Sequence, residues 1–251
     1  MSEAPIYLDH HATTPVDERV LAAMLPYFTK HYGNASSRAH AHGRRALEGV
    51  DAARAQVADL IGATPRELVF TSGATESDNL AVLGTALGRA ADGKHVVSVC
   101  TEHKAILDSL SALEERGWRV TRLPVGADGA VSMDRLEASL SNDTTLVSVM
   151  LSNNEVGVVQ DLGAVAALTE PRGITLHCDA AQGLGYLPLS VQELPVDLVS
   201  MSAHKMYGPK GVGALYVRRS LQARGLPKPQ MHGGGHQSGF RSGTLDVPGI
   251  V

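Results

Sequence analysis

The sequence is poor in cysteine, and this scarcity argues against two classes of protein. Its 251 residues include two cysteines, Cys100 and Cys178, which form no CxxC pair. A domain held together by disulfides or by a structural zinc ion needs more thiols at closer spacing. Widely separated cysteines fit a reducing compartment, so we expect a cytoplasmic protein with no metal site.

Aromatic residues and positive charge are also scarce. Aromatics make up 4% of the chain, and the formal net charge is −4. Such a chain has no electrostatic attraction for nucleic acid or anionic membranes, and few rings to stack on bases. The N-terminus lacks the basic and apolar segments of a secretory signal, and no apolar run is long enough to cross a bilayer. We therefore expect neither a nucleic-acid nor a membrane partner.

The hydrophobic pattern that is present is typical of an α/β protein, and the chain is long enough for one large domain or two small ones. Helical periodicity occurs at residues 15–31, 39–61, 75–90, 104–116, 133–141 and 162–170. Strand-like segments occur at 67–71, 95–100, 120–125, 146–151, 175–179, 198–202 and 214–217. Several of these strands are apolar throughout. The alternation predicts a mostly parallel, doubly wound sheet with helices on both faces.

Candidate functional residues follow three of the predicted strands, where ligands bind in sheets of this kind. The first group is TSGATE at 71–76. Gly73 permits a tight turn, and the free N–H groups of Ala74 and Thr75 at a helix start would attract an anion. The alternative is an ordinary helix cap formed by Ser72 or Thr75, with nothing bound.

The second group contains Asp179 and Gln182, and the third contains Lys205. An isolated aspartate here is more often a helix cap, and an isolated lysine is more often a solvated surface residue. A buried lysine, however, has a lowered pKa and becomes a nucleophile. The glycine-rich stretch at 208–213 lacks the spacing of a nucleotide-binding loop. An anion cup, an acidic residue for a pyridinium nitrogen and a lysine for an imine are together the parts that a pyridoxal 5′-phosphate (PLP) site requires.

The sequence also resembles a known family, the cysteine desulfurases of the iron–sulfur assembly type. These are class V aminotransferase relatives with the fold-type I architecture of PLP enzymes. The matching motifs occur in order and cover nearly the whole chain: YLD with ATTP (7–9 and 12–15), GNASS (33–37), SGATE (72–76), TEHK (101–104), NNEVG (153–157), DAAQ (179–182), SAHK (202–205) and RSGT (241–244).

The resemblance implies roles for four residues around the PLP ring. Lys205 would form the Schiff base and move the substrate Cα proton, and Asp179 would keep the pyridine nitrogen protonated. Gln182 would donate to the phenolic oxygen of the ring. His103 would stack on the ring and act on the substrate thiol.

Further positions are implied for the phosphate and the substrate. The phosphate cup would consist of Ala74, Thr75, Ser202 and His204. Thr244 would reach the phosphate of a neighbouring subunit, which implies a homodimer. Asn154 would also touch the cofactor, and Asn154 and Asn34 would lie near the substrate carboxylate.

The implied reaction is the removal of sulfur from L-cysteine, which gives L-alanine and an enzyme persulfide. The persulfide would pass its sulfur to a scaffold or acceptor protein for iron–sulfur clusters or other sulfur-transfer pathways. Two alternatives remain open: an enzyme resembling selenocysteine lyase, and a non-catalytic protein that binds PLP or a partner.

The resemblance also implies how the chain is divided. Residues 1–14 would form an N-terminal arm and residues 15–251 the large PLP-binding domain. The family continues into a smaller C-terminal domain that carries the sulfur-accepting cysteine. Cys100 and Cys178 are poor substitutes because both fall in predicted strands, and Cys178 should face away from the cofactor.

The sequence departs from the usual family pattern at a histidine pair. His10 and His11 are interpreted as an extended segment in which neighbouring side chains point to opposite sides, so the pair should form a polar wall at the substrate end. His40 and His42 have no carboxylate or thiol nearby to complete a metal site.

Overall fold

A single mixed sheet forms the centre of the computed structural model, which describes residues 5–251. Its seven strands are β1 Leu68–Thr71, β2 His95–Val99, β3 Arg119–Leu123, β4 Thr144–Ser148, β5 Thr175–Asp179, β6 Leu198–Ser202 and β7 Gly213–Val217. They lie in the order β1-β7-β6-β5-β4-β2-β3. The strands from β6 to β3 run parallel, as predicted. The first four residues of the predicted N-terminal arm lie outside the described residues.

Strand β7 runs antiparallel to both of its neighbours, β1 and β6. The connection from Ser202 to Gly213 is too short for the helical crossover that a parallel neighbour requires. The chain instead turns back directly, through the segment that contains Lys205. The short return therefore places the lysine at the carboxyl end of β6.

Eight helices surround the sheet in the described part of the chain. They are α1 Glu18–Thr29, α2 Ala41–Leu60, α3 Ala74–Gly88, α4 Lys104–Glu114, α5 Met133–Ser139, α6 Leu162–Thr169, α7 Arg219–Ala223 and α8 Val247–Ile250. The first six were predicted. Helix α1 begins three residues later than predicted because the Asp17 carboxylate caps it, accepting from the Arg19 N–H at 2.8 Å.

Alternation along the strands sends side chains to two layers of helices. Helices α3 and α4 cover one face and pack on Val96, Leu146 and Leu198. Helices α2 and α6 cover the other face and pack with Val147, Leu176 and Cys178 in the largest apolar cluster. Burial on both faces confirms the predicted helix–sheet–helix layers.

The two cysteines occupy different environments. Cys178 is fully buried in the apolar cluster on the face opposite the Asp179 side chain, as predicted. The prediction that Cys100 lies in a strand is wrong, because β2 ends at Val99 and Cys100 is exposed in the following turn. Its main chain leaves the ladder there, although its N–H still donates to the Leu123 carbonyl.

None of the described helices combines the length and apolarity that a bilayer span needs.

Candidate active site

A cavity of about 750 Å³ opens at the carboxyl ends of β1, β4, β5 and β6, the edge of the sheet that the sequence predicted. Its lining residues come from six segments of the chain. They are Asp9, His11, Ala12, Ser72, Gly73, Ala74, Thr75, Glu76, His103, Met150, Ser152, Asn154, Glu155, Asp179, Ala181, Gln182, Ser202, His204, Lys205, Lys210 and Gly211.

The start of helix α3 forms a cup at one end of this cavity. Gly73 precedes the helix with φ +148°, a conformation that favours glycine, and α3 begins at Ala74. The first N–H groups of a helix have no partner within it, so those of Ala74 and Thr75 are available to an anion. Ser202 is 2% exposed, and its hydroxyl has no hydrogen-bond partner among residues 5–251. The cup therefore presents donors that await an acceptor.

An ion pair neutralises the acidic residue in the first turn of α3. Arg241 Nε donates to Glu76 Oε1 at 2.8 Å, and the Ser72 N–H donates to Glu76 Oε2 at 2.8 Å. Burial alone would raise the pKa of Glu76, but these donors hold it below its ordinary value. The carboxylate is thus bound on both sides, and its charge does not repel an anion in the cup.

Lys205 lies in the short turn Ala203–Lys205 that follows β6, and its Nζ donates to the carbonyl of His11. Burial lowers the pKa of Lys205, while the carboxylates of Asp179 and Asp9 oppose this effect. A lowered pKa leaves a larger neutral fraction of the amine, which is the nucleophilic form.

The N-terminal segment closes one side of the cavity through its main chain. The His11 carbonyl also accepts from Gln182 Nε2 at 2.8 Å, and His11 Nδ1–H donates to the Asn154 carbonyl at 2.9 Å. The prediction of an extended chain at His10 and His11 is wrong: residues 10–12 form a turn closed by a hydrogen bond from Ala12 N–H to Asp9 carbonyl. In this turn His11, but not His10, lines the cavity.

Asp179 ends β5 at the floor of the cavity and is 4% exposed. One carboxylate oxygen accepts from the Ala181 N–H at 2.9 Å. Burial raises the pKa of Asp179, whereas this N–H, His103 and Lys205 act in the opposite direction. The carboxylate is therefore a buried acid on which an N–H donor, Lys205 and His103 converge.

His103 begins helix α4 and is oriented by its own cap. A backbone N–H can only donate, so His103 Nδ1 accepts from the Ala105 N–H, at 3.1 Å. The other ring nitrogen, Nε2, is left to exchange a proton with a ligand.

His204 binds the N-terminal segment behind the cup. Its carbonyl accepts from the Thr14 N–H at 2.9 Å, and its Nδ1 lies 3.1 Å from the Thr13 hydroxyl. Burial and the charges of Lys205 and Lys210 lower the pKa of His204, which favours the neutral ring.

The structure brings nine of the predicted site residues together and leaves two apart. Lining the cavity are Ala74, Thr75, His103, Asn154, Asp179, Gln182, Ser202, His204 and Lys205. Asn34 is exposed outside the cavity and accepts from the Ser36 N–H through its side chain at 2.9 Å. Thr244 is also exposed and lines a separate, small cavity beside Arg241.

Several lining residues were not predicted. Asp9 and Glu155 fall within the YLD and NNEVG motifs, and Lys210 falls in the glycine-rich stretch, so these motifs carried a signal for them. Met150 lies near the end of the predicted strand at 146–151 and Ser152 directly follows it, so their positions could have identified both as lining residues. The contribution of the His11 carbonyl had no signal, because every residue has a carbonyl.

Comparisons with known proteins agree with this architecture. The curated relatives include a cysteine desulfurase IscS of Anaeromyxobacter sp. (strain Fw109-5), 59% identical over 247 residues, and one of Neisseria meningitidis, 53% identical over 249 residues. The matches cover 98% and 99% of this chain, which spans 61% of the length of either relative.

Solved structures are similar as well. One titled "NIFS-LIKE PROTEIN" superimposes with a TM-score of 0.93 at 41% identity, and covers 98% of this chain and 66% of its own. Another, titled "SspA in complex with cysteine", has a TM-score of 0.93 at 39% identity, and covers 97% of this chain and 70% of its own. The family model described as aminotransferase class-V matches residues 6–251. This chain therefore belongs to the class-V aminotransferase family, whose cysteine desulfurase members depend on PLP.

Proposed function

We propose that the protein is a PLP-dependent cysteine desulfurase and that this chain forms its cofactor site. The observation that carries the proposal is the convergence of Lys205, Asp179 and the α3 cup on one cavity. The curated relatives of this chain are cysteine desulfurases, and a similar solved structure is in complex with cysteine by its title.

The residues fit PLP on two structural grounds. The cup combines the α3 N–H groups with the unpartnered, buried hydroxyl of Ser202, which suits a phosphate group. At the floor of the same cavity, Asp179 is a buried carboxyl near Lys205, which suits a protonated ring nitrogen. PLP, when bound, would supply an electron sink for the substrate Cα.

The chain's own residues would then hold and move protons. Lys205 would take the proton from the substrate Cα. Its pKa is lowered, so more of its amine is neutral at a given pH than in an ordinary lysine. Gln182 would donate to the phenolic oxygen from a side chain already directed by the His11 carbonyl. His103 would exchange a proton with the substrate thiol through Nε2, because its Nδ1 caps α4.

The sulfur-accepting thiol would come from outside this chain. Burial, with the nearby Asp179 carboxylate, raises the pKa of Cys178 well above its ordinary value, so this thiol is a poor nucleophile. Cys100 is exposed but does not line the cavity. We propose that the longer protein supplies the acceptor cysteine, that L-alanine is the second product, and that a scaffold or acceptor protein takes the sulfur.

The assembly and location of the protein belong to the same proposal. Asn34 and Thr244 lie outside the cavity of their own chain, and a homodimer would let Thr244 reach the phosphate of the neighbouring subunit. We also propose that residues 1–14 act as an arm, that 15–251 form the large domain, and that the enzyme works in the cytoplasm.

The lysine assignment is tested by loading the 251-residue chain with PLP, reducing it with borohydride and mapping the modified peptide by mass. We expect one stable adduct, on Lys205. Lys205→Ala should lose it. Lys210→Ala, which removes another lysine of the same cavity, should retain an adduct on Lys205. An adduct that survives in Lys205→Ala would overturn the assignment.

The reaction is tested in the full-length protein with L-cysteine and a reductant. We expect equal amounts of alanine and sulfide. Faster turnover of selenocysteine than of cysteine would favour the selenocysteine lyase alternative. If the full-length protein forms the Lys205 adduct but releases no alanine, it is a PLP-binding protein without this activity.

A further inference from the structure

A belt of buried polar side chains crosses the sheet directly beneath the cavity. It consists of Ser98, Ser148, His177 and Ser200 on strands β2, β4, β5 and β6, and each is 0% exposed. Ser98 is the register partner of Ser148, which in turn is the partner of His177, and Ser200 is the partner of Asp179. Ser98, Ser148 and His177 therefore lie one side-chain step below the Asp179 carboxyl and Ser200 lies level with it, all on the face that α3 covers.

His177 is the centre of this belt and is neutral. Its Nδ1 lies 2.9 Å from the Ser148 hydroxyl and its Nε2 lies 2.9 Å from the Ser200 hydroxyl. Burial lowers the pKa of His177 to about 3. The ring therefore supplies no positive charge to its surroundings.

Two carboxyl groups, of Asp78 and Glu102, approach the belt without a counter-charge. Asp78, from α3, is 0% exposed, and neither of its oxygens has a hydrogen-bond partner in the described chain; Oδ1 lies 3.6 Å from His177 Nε2. Glu102 is 5% exposed; its Oε1 accepts from the Met150 N–H at 2.8 Å, while its Oε2 has no partner within residues 5–251.

The elements packed around Asp78 and Glu102 contribute acids and neutral groups. Helix α4 turns its buried side chains toward α3, and they include Ala105, Ile106, Ser109 and Leu110, none of them ionisable. The charged neighbours that act on Asp78 are Asp179 and Glu102, and the one that acts on Glu102 is Asp179. Lys205 and His103 act instead on Asp179, from the cavity side, and lower its pKa.

We propose that Asp78 and Glu102 are positioning residues that stay protonated and thereby keep the single buried negative charge of this region on Asp179. An unpaired charge in a protein interior is strongly unfavourable, so buried acids without partners take up protons. Asp179 alone of the three has both an N–H donor, from Ala181, and a nearby cation, Lys205. The inference deepens the proposed function, in which Asp179 holds the ring nitrogen, but the protonation itself needs no cofactor.

The direction of the individual pKa shifts agrees with this arrangement. Burial raises the pKa of Asp78 and of Glu102 well above ordinary values, and the negative charge of Asp179 raises both further; the Ser200 hydroxyl opposes this for Asp78 and the Met150 N–H opposes it for Glu102, without reversing it. Neutral acids next to Asp179 spare it the repulsion that two further carboxylates would cause. The carboxylate that faces the cavity can then ionise.

The first test compares the pH dependence of unfolding in the apoprotein and in the variants Asp78→Asn and Glu102→Gln. Between its ordinary pKa and its raised folded-state pKa, Asp78 binds up to one proton more in the folded than in the unfolded state. Its raised folded pKa therefore lowers stability as pH rises. The amides lack this penalty, so the folding constant of each variant relative to wild type should grow by about tenfold per pH unit.

A matched control has the opposite sign. Asp143 is exposed, and the Ser141 hydroxyl and Arg119 hold its pKa below the ordinary value. Asp143→Asn should therefore be less stable than wild type at neutral pH, and the difference should vanish as pH falls through the folded pKa. The same destabilisation in Asp78→Asn and Glu102→Gln would overturn the proposal, because it would mean that both carboxyls are ionised.

The second test detects the protons directly and separates positioning from packing. At neutral pH the infrared spectrum of the apoprotein should contain the carbonyl stretch of protonated carboxylic acids, and each amide variant should lose part of it. In an Asp179→Asn background the remaining acids should titrate at lower pH, since the charge that raises their pKa is gone. Absence of the protonated band in wild type, or an unchanged titration without Asp179, would refute the inference.

These outcomes are independent of the proposed activity. Both tests use the apoprotein, so their failure would leave the Lys205 adduct and cysteine turnover untouched. Failure of those assays would, in turn, leave the protonation state of Asp78 and Glu102 unaffected. If Asp78→Asn does not fold, Glu102→Gln and the wild-type infrared titration still decide the question.

Discussion

The amine of Lys205 lies between effects of opposite sign, because burial lowers its pKa while the carboxylates of Asp179 and Asp9 raise it. Asp179→Asn removes one of the raising charges. We expect the rate of PLP attachment to the apoprotein to rise with pH in both proteins, since the neutral amine reacts, and to rise at lower pH in the variant. Rates measured by absorbance across a pH series check this.

A distant exposed acid provides the control for the Lys205 profile. Asp92 pairs with Arg89 and Arg224 away from the cavity. Asp92→Asn should leave the profile where it is in wild type. A shift to higher pH in Asp179→Asn would contradict the described balance of burial and charge.

His103 serves as a helix cap as well as a cavity residue, and the two roles can be separated. In His103→Asn the side-chain oxygen can still accept from the Ala105 N–H, whereas His103→Ala loses the cap. We expect only the alanine variant to lose stability, by about 1 kcal/mol in urea unfolding. In the full-length protein both should release alanine about 10²- to 10⁴-fold more slowly. Normal turnover in His103→Asn would exclude proton transfer by the ring.

At the scale of elements, the first residue of β7 touches the cup that begins α3. A Cβ added to Gly213 would lie 2.6 Å from the Gly73 Cα and 2.5 Å from the Met201 carbonyl oxygen. Both neighbours are backbone, so the start of α3 would have to move. Overpacking of this kind costs about 1–3 kcal/mol. We expect Gly213→Ala to weaken PLP binding by about tenfold or more in equilibrium titrations.

A glycine at the start of another helix tests whether the Gly213 effect is local. In α6, a Cβ on Gly163 would meet only the Asp161 carboxylate of its own cap, at 3.3 Å. Gly163→Ala should therefore bind PLP as wild type does. Equal affinity of Gly213→Ala and wild type would show that the cup does not depend on this close approach.

The elements were largely predictable because their periodicity is strong. The alternation of apolar strands and helices predicted the layers, and the position of Asp179 and Lys205 after strands predicted the edge that carries the site. Strand ends were less predictable: the hydrophobic run at 95–100 did not reveal that Cys100 leaves the sheet. The direction of β7 was also not predictable from side-chain pattern. The short connection between β6 and β7 makes this strand antiparallel.

Contacts made by main-chain atoms and by distant segments could not be predicted in the same way. In the sequence Asp78 looks like an ordinary polar residue on the exposed face of an amphipathic helix, yet in the structure it is completely buried. The His11 carbonyl is chemically identical to every other carbonyl of the chain. Only the folded arrangement shows that it binds both Lys205 and Gln182.

The whole molecule carries an exposed apolar strip on α1. Leu21, Leu25 and Phe28 are spaced to share one helix face and are 47%, 56% and 57% exposed. Contiguous exposed apolar surface promotes association. We expect the 251-residue chain to self-associate with rising concentration, and Leu25→Lys combined with Phe28→Lys to reduce this in light scattering. Unchanged association in that variant would place the contact elsewhere.

The hydrogen bond between Lys205 and the His11 carbonyl joins residues 194 positions apart, and its consequence concerns the order of folding. Closing so large a loop costs chain entropy, and such contacts form late because other interactions must first bring the ends together. We therefore expect the cavity wall to be among the last parts to assemble. A nascent chain that has not yet reached Lys205 would lack both this wall and the proposed PLP lysine, so we expect cofactor capture to follow synthesis of the chain through Lys205.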